Sequence, residues 1–220
     1  MGISIIKISY KWNGALVRRR STDSIVLHHC ASNGLTAERI HALHLSNGWA
    51  GIGYHYYIRK NGDIFTGRPE DTVGAHSGAS NGYNAHSIAA CFEGDYETEA
   101  EMPEGQLAAG AGLISDILRR YGGLKLIRHR DISATACPGK NFPYKKLAEM
   151  VNASKETKGT EEVEKMIVYN NYDDLPEWGR ETVKKLMDRG ALIGDEKGSL
   201  ALSYEMLRVL VINDRMGLYS

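Results

Sequence analysis

Apolar residues come in short runs separated by polar, glycine-containing stretches, and the spacing inside each run indicates what it builds. Ile3, Ile5, Ile6 and Ile8 predict a strand over 3–10, and residues 11–23, with Arg18, Arg19 and Arg20, are polar. The run Ser24 to His28 predicts a short buried strand. Thr36 suits an N-cap for a helix over 37–47, with Ile40, Leu43 and His44 on one face and Asn47-Gly48 as its stop. Residues 53–67 predict a hairpin: Tyr54 to Arg59 is rich in strand formers, Asn61-Gly62 gives a tight turn, and Asp63 to Thr66 returns. A long Gly-, Ser- and Asn-rich loop over 68–86 holds His76, Tyr83, Asn84 and His86, and loops of that length in a compact domain are usually functional. Ser87 to Phe92 predicts another buried strand, followed by an acidic stretch, 93–101, expected on the surface.

Pro103 fits the first turn of a helix with Leu107, Ala111, Ile114 and Leu118 as its stripe and Gly122 at its end. Gly110 and Gly112 weaken this helix but permit close packing on a sheet. A strand over 124–128 leads to His129. Strands interspersed with helices predict an α/β fold, a mixed central β-sheet flanked by helices. Residues 152–166 are polar and charged and read as a linker. Beyond it, Pro176 starts a helix with Trp178, Val183, Leu186 and Met187 inward, closed by Gly190. Ser203 caps a second, with Leu207, Leu210 and Val211 inward, closed by Gly217. The expected organisation is a first domain over 1–151, a linker over 152–166, and a small all-α C-terminal domain over 167–220. So short a module has little core of its own, so contact with a partner or with the first domain is expected.

Composition narrows the classes. At 220 residues, 42% apolar and 25% charged, the chain has the make-up of a globular protein. Its formal net charge is zero, which argues against a nucleic-acid partner. No apolar run approaches a membrane span, so no membrane partner is expected. The stretch Met1 to Lys7 lacks a basic region followed by a long apolar one, so no secretory signal is expected. Residues up to 150 hold 17 Lys/Arg against 14 Asp/Glu; the remainder holds 10 against 13. All 8 His and all 3 Cys also lie before residue 150, which places acid–base or metal chemistry in the first domain. Three cysteines make no disulfide framework. Cys30 and Cys91 sit in or beside strand-like runs, as small buried hydrophobes do. Cys137, in a polar Cys-Pro-Gly turn, differs from both.

His28 and His129 each end an apolar run, and Cys137 follows eight residues after the second. Two imidazoles and a thiolate suit zinc, and three protein ligands rather than four leave the open position of a catalytic site. His41 and His44 read as ordinary helix positions, and His55 and His86 as structural hydrogen-bonders.

Five segments, in order, resemble one family, the zinc-dependent N-acetylmuramoyl-L-alanine amidases, which include phage endolysins and peptidoglycan recognition proteins. They are Val26 to Ala31; Gly48 to Tyr56; Asn61 to Arg68; Gly74-Ala75-His76 with Gly82-Tyr83-Asn84 and Ser87-Ile88; and His129-Arg130-Asp131 with Thr135 to Gly139. The resemblance spans Ile25 to Pro143. It implies zinc held by His28 (not its neighbour His29), His129 and Cys137. It gives Tyr54 a part in proton handling or in holding the attacked carbonyl, and places Thr135 where some phage members carry a Lys. Other branches carry a Glu where Cys91 stands here, so acid–base work falls to Tyr54, with Glu93 two residues on as a substitute. His76, Asn84 and Arg59 are candidates for gripping a glycan or peptide stem.

The resemblance implies hydrolysis of the lactyl-amide bond between N-acetylmuramic acid and L-alanine in bacterial peptidoglycan. The expected role is that of a phage or prophage endolysin, held in the host cytoplasm until released to the wall; bacterial autolysis is the other setting. Two alternatives stay open at this point: a non-catalytic peptidoglycan-binding protein of the same fold, and a cysteine hydrolase using Cys137 with His29. The stretch from Asp174 to Gly194 is similar to one surface-layer-homology repeat. That adds a secondary wall polymer, or a second copy in a homodimer, as a partner for the C-terminal domain.

Overall fold

The computed structural model describes residues 3–78, 81–153, 167–196 and 198–219. In chain order the first part forms β1 (Ile5–Ile6), β2 (Ser24–His29), α1 (Ala37–Ser46), β3 (Tyr56–Ile58), β4 (Ile64–Thr66), β5 (Ser87–Phe92), α2 (Glu104–Tyr121), β6 (Lys125–Arg128) and α3 (residues 144–153). The strands make one six-stranded mixed sheet in the order β1-β4-β3-β5-β2-β6, antiparallel only at the β3–β4 hairpin. Helices flank this sheet on both faces. β2 and β5 lie at its centre with every residue buried, which is why both read as unbroken apolar runs rather than alternating ones.

On one face Leu27, Ile88, Ala90 and Phe92 pack against Ile114 and Ile117 of α2 and Leu147 of α3. Gly110 explains how close α2 comes: a Cβ there would stand 2.6 Å from Phe92 Cζ. On the other face Cys91, Tyr57 and Ile52 pack against Ala37 and Ile40 of α1. Thr36 caps α1 as expected, its hydroxyl accepting from the Arg39 amide at 3.2 Å. The apolar face of α1 is rotated from the expected one. Ala37, Ile40 and His41 are buried, whereas Leu43 stays exposed, because His41 Nδ1 is held in place accepting the Ile52 amide at 3.1 Å.

Three further expectations change. The strand expected over 3–10 pairs only at Ile5 and Ile6, at the sheet edge. The acidic stretch 93–101 is not a simple surface loop, since Tyr96 is fully buried in the core and Glu93 nearly so. In the C-terminal part, Trp178 and Met187 are exposed rather than inward.

The chain divides into two compact units, residues 1–154 and 155–220. Residues 152 and 153 of the expected linker are helical and belong to α3, and 154–166 lie outside the described residues. The second unit is helical, with α4 (Glu177–Asp188) and α5 (Tyr204–Arg215) packed through Val183, Leu207 and Val211. It also contains a two-stranded antiparallel ladder that the sequence pattern did not predict, β7 (Val168–Tyr169) with β8 (Leu202–Ser203). No helix among the described residues is long and apolar enough to cross a membrane.

Candidate metal centre

The parallel register of β2 and β6 brings two of the expected ligands together. Leu27 pairs with Arg128, so His28 and His129, each one residue further on, emerge side by side at the carboxyl ends of adjacent strands. Their ring centroids are 4.4 Å apart. Alternation along β2 then separates the two neighbouring histidines. His28 sits on the α1 face with Tyr54, its ring centroid 5.1 Å away. His29 Nδ1 turns to the opposite side and accepts the Tyr96 amide at 3.0 Å.

Cys137 arrives from the loop after β6. That loop is pressed onto the 96–97 backbone at Gly139, whose φ of 103° and lack of a Cβ allow the approach. Thr135 Oγ1 accepts the Cys137 amide at 3.2 Å. The thiol then lies 3.4 Å from the His29 amide and 3.7 Å from His28 Nδ1. Ligand atoms of His28, His129 and Cys137 all fall within 4.8 Å of one another, the only such cluster of three among the described residues. Those spacings fit one ion held at bond lengths of ~2.0–2.3 Å from each donor.

The electrostatics suit the same group. Burial, reinforced by His129, keeps His28 well below the usual histidine range, and burial lowers His129 as well, so both rings present lone pairs at neutral pH. Burial pushes the Cys137 thiol up to about 11, against the pull of the His29 amide and the Arg130 charge. A cation is what would turn that thiol into a thiolate. Burial, with the Cys91 thiol and neighbouring cysteines, holds the Tyr54 phenol well above its ordinary value, so it stays protonated and can donate.

Beside the cluster opens a cleft of about 430 Å³ lined by Trp49, Ala75, His76, Gly78, Asn84 and His129. Gly53 sets its wall, since a Cβ there would stand 2.6 Å from the Ala75 carbonyl carbon. The other expected site residues are placed as follows. His76 and Asn84 line the cleft. Asn84 is largely committed to its own loop: Oδ1 accepts the amides of His76 at 2.8 Å and Ser77 at 3.1 Å, and Nδ2 donates to the Gly78 carbonyl. Arg59 does not line the cleft; its guanidinium pairs with Glu93 at 3.1 Å. Glu93 is bound in turn by the amides of Gly34 at 2.7 Å and Lys60 at 3.0 Å. Burial would raise its pKa, but these contacts, led by Arg59, bring it below the usual carboxylate range. An ionised carboxylate with its oxygens occupied is no substitute proton donor.

Sequence reasoning missed Trp49. It stands 43% exposed on the cleft wall, its ring 4.6 Å from that of His44. The available signal was a large aromatic directly after the glycine that ends a helix. His41 and His44 do bridge α1 to the strand lead-in, as structural histidines do, with His44 Nδ1 accepting the Gly53 amide at 3.0 Å.

Fold and site together define an α/β protein with a three-donor site, suited to a metal ion, at the carboxyl end of a mixed sheet and open to a cleft. The model of the family described as N-acetylmuramoyl-L-alanine amidase matches residues 18–140, and the chain belongs to that family. Among curated proteins it is similar to peptidoglycan-recognition protein SC2 of Drosophila melanogaster, 33% identical over 159 residues, covering 64% of this chain and 84% of the relative. The endolysin of Klebsiella phage KP32 is 31% identical over 128 residues, covering 54% and 83%. Among solved structures, an endolysin N-acetylmuramoyl-L-alanine amidase, LysCS, from Clostridium intestinale URNW superposes with a TM-score of 0.65 at 35% identity, covering 69% of this chain and 97% of that one.

Proposed function

We propose that this protein is a zinc-dependent N-acetylmuramoyl-L-alanine amidase of the endolysin type. In this reading it cuts the amide between the lactyl group of N-acetylmuramic acid and L-alanine in peptidoglycan. The observation that carries the reading is the His28–His129–Cys137 cluster, with its donor atoms within 4.8 Å of one another beside an open cleft. The complete donor set, Cys137 included, favours catalysis over the binding-only reading.

Zinc, when bound by these three residues, supplies a Lewis acid for the amide carbonyl and a nucleophile from water at neutral pH. The rest is done by the chain. The cleft beside His129 takes the sugar–peptide junction, and the exposed Trp49 offers an apolar wall to it. Tyr54, held protonated, donates its phenolic hydrogen to the carbonyl oxygen as negative charge develops there. Cys91 is the neighbour that most reinforces burial in holding that phenol protonated, and a thiol is a weak acceptor beside a developing oxyanion. Thr135 has used its oxygen to accept the Cys137 amide, so its hydroxyl proton is left to donate outward. The departing alanyl nitrogen needs a proton; the one released by the attacking water supplies it, with the Tyr54 hydroxyl as relay, so that the phenol ends the cycle protonated as it began.

The test is metal dependence of wall lysis. Turbidity of isolated walls should fall with the protein, stop on chelation, and resume on adding zinc. Cys137→Ser should bind walls yet release nothing. Lysis that survives both treatments would instead mark a thiol-independent, metal-independent enzyme. Wall binding by the wild-type protein without lysis at saturating zinc would support the non-catalytic alternative.

A further inference from the structure

The second nitrogen of His28 is held as specifically as the first. His28 Nε2 lies 3.0 Å from His76 Nδ1, His76 Nε2 lies 3.2 Å from Ser87 Oγ, and Ser87 Oγ lies 2.6 Å from the Tyr83 carbonyl oxygen. The last contact fixes the protons along the whole row. A carbonyl oxygen only accepts, so the Ser87 hydroxyl proton must lie on the Tyr83 contact; without it, two oxygen lone pairs would face each other at close range. Having donated there, Ser87 Oγ accepts from His76 Nε2–H. A neutral imidazole carries one proton, so His76 Nδ1 is bare and accepts in turn. His28 therefore donates from Nε2, and its lone pair lies on Nδ1, the nitrogen 3.7 Å from Cys137 Sγ.

We propose that His76, oriented by Ser87, is a positioning residue that selects the His28 tautomer and ring angle for metal ligation through Nδ1. The proposal rests on the reading of His28, His129 and Cys137 as a metal site. His76 is built for the task. It is 7% exposed, its amide is held by Asn84 Oδ1 at 2.8 Å, and Gly74 leaves space for its ring, since a Cβ there would stand 2.8 Å from His76 Nε2. Partners of metal-binding histidines are commonly carboxylates or carbonyls, which raise the basicity of the ligand. A neutral imidazole fixes geometry without adding negative charge, leaving the bound ion more electrophilic. His76 at the cleft edge is thus tied inward to the ligand rather than free to grip substrate.

Two measurements on the full-length protein test this. Nitrogen-resolved NMR of the histidine rings in the zinc-free wild type should find His28 neutral with its proton on Nε2. Zinc affinity, read by competition with a chromophoric chelator, should weaken by about 10–100-fold in His76→Ala. His76→Asn, whose amide oxygen can stand where Nδ1 stood, should recover most of the loss, and Ser87→Ala should fall between. A His28 proton on Nδ1 overturns the proposal even if no variant folds. A folded His76→Ala that binds zinc as tightly as the wild type also overturns it. Failure of the wild type itself to bind zinc overturns the metal reading instead, and leaves the tautomer measurement to decide the hydrogen-bond row by itself.

Discussion

His28 and His29 are adjacent, identical in chemistry and both buried, yet only one meets Cys137 through its ring. Nothing in their composition separates them. The alternation of a strand does, once its register with β6 is known, and register is a property of two segments a hundred residues apart. The resemblance points to His28, and it is the His28 ring that lies beside Cys137 and His129. Glu93 shows the converse. Two residues beyond Cys91, it suggested a replacement acid, but its oxygens are taken by Arg59 and two backbone amides. Those partners are distant in sequence and invisible to spacing. Tyr54 has no such commitment beyond a thiol, so Tyr54→Phe should lower kcat on wall fragments by ~10²–10⁴-fold while zinc content stays at the wild-type level. Unchanged kcat would move the acid–base work to another group.

At the scale of elements, the central strands and α2 were legible because burial on both faces, or on one helical stripe, writes itself into the sequence. What was not legible is how loops are tied to them. Glu70, in the loop before the cleft wall, accepts hydrogen bonds from Arg120 and Tyr121 at the end of α2 and from Tyr56 on β3. Burial alone would raise its pKa, but these donors bring it to about 2. A carboxylate depressed in the folded state stabilises fully above its ordinary value of 4.5, and the contribution fades as pH falls toward about 2. Glu70→Gln should therefore cost ~1.5–3 kcal/mol in urea unfolding at pH 7, with the gap to wild type narrowing steadily below pH 4.5. A gap that stays constant down to pH 2.5 would show that the charge of Glu70 is not what matters. The exposed Trp178 of α4 was misjudged for a similar reason. Helical spacing locates a face, but Gly179 beside it takes the inner position against Leu207, where a Cβ would stand 2.9 Å from a methyl carbon.

At the scale of the molecule, the first unit is a scaffold that holds chemistry at one end of a sheet. The three candidate donors come from β2, from the turn after β6 and from a loop braced on the 96–97 backbone; the cleft wall comes from the loop before β5. The segments that carry the family resemblance are these same pieces, which is why the family was readable where the strand order was not. Family membership and a three-donor site lead to one central claim, hydrolysis of the amide that joins peptide to glycan. The most direct measurement is a time course of purified peptidoglycan digested by the zinc-loaded protein, counting new amino groups of L-alanine and new reducing sugar ends in the same samples. For the amidase, alanine amino groups should rise in step with the loss of turbidity while reducing ends stay at background. New reducing ends without new alanine amino groups would contradict it.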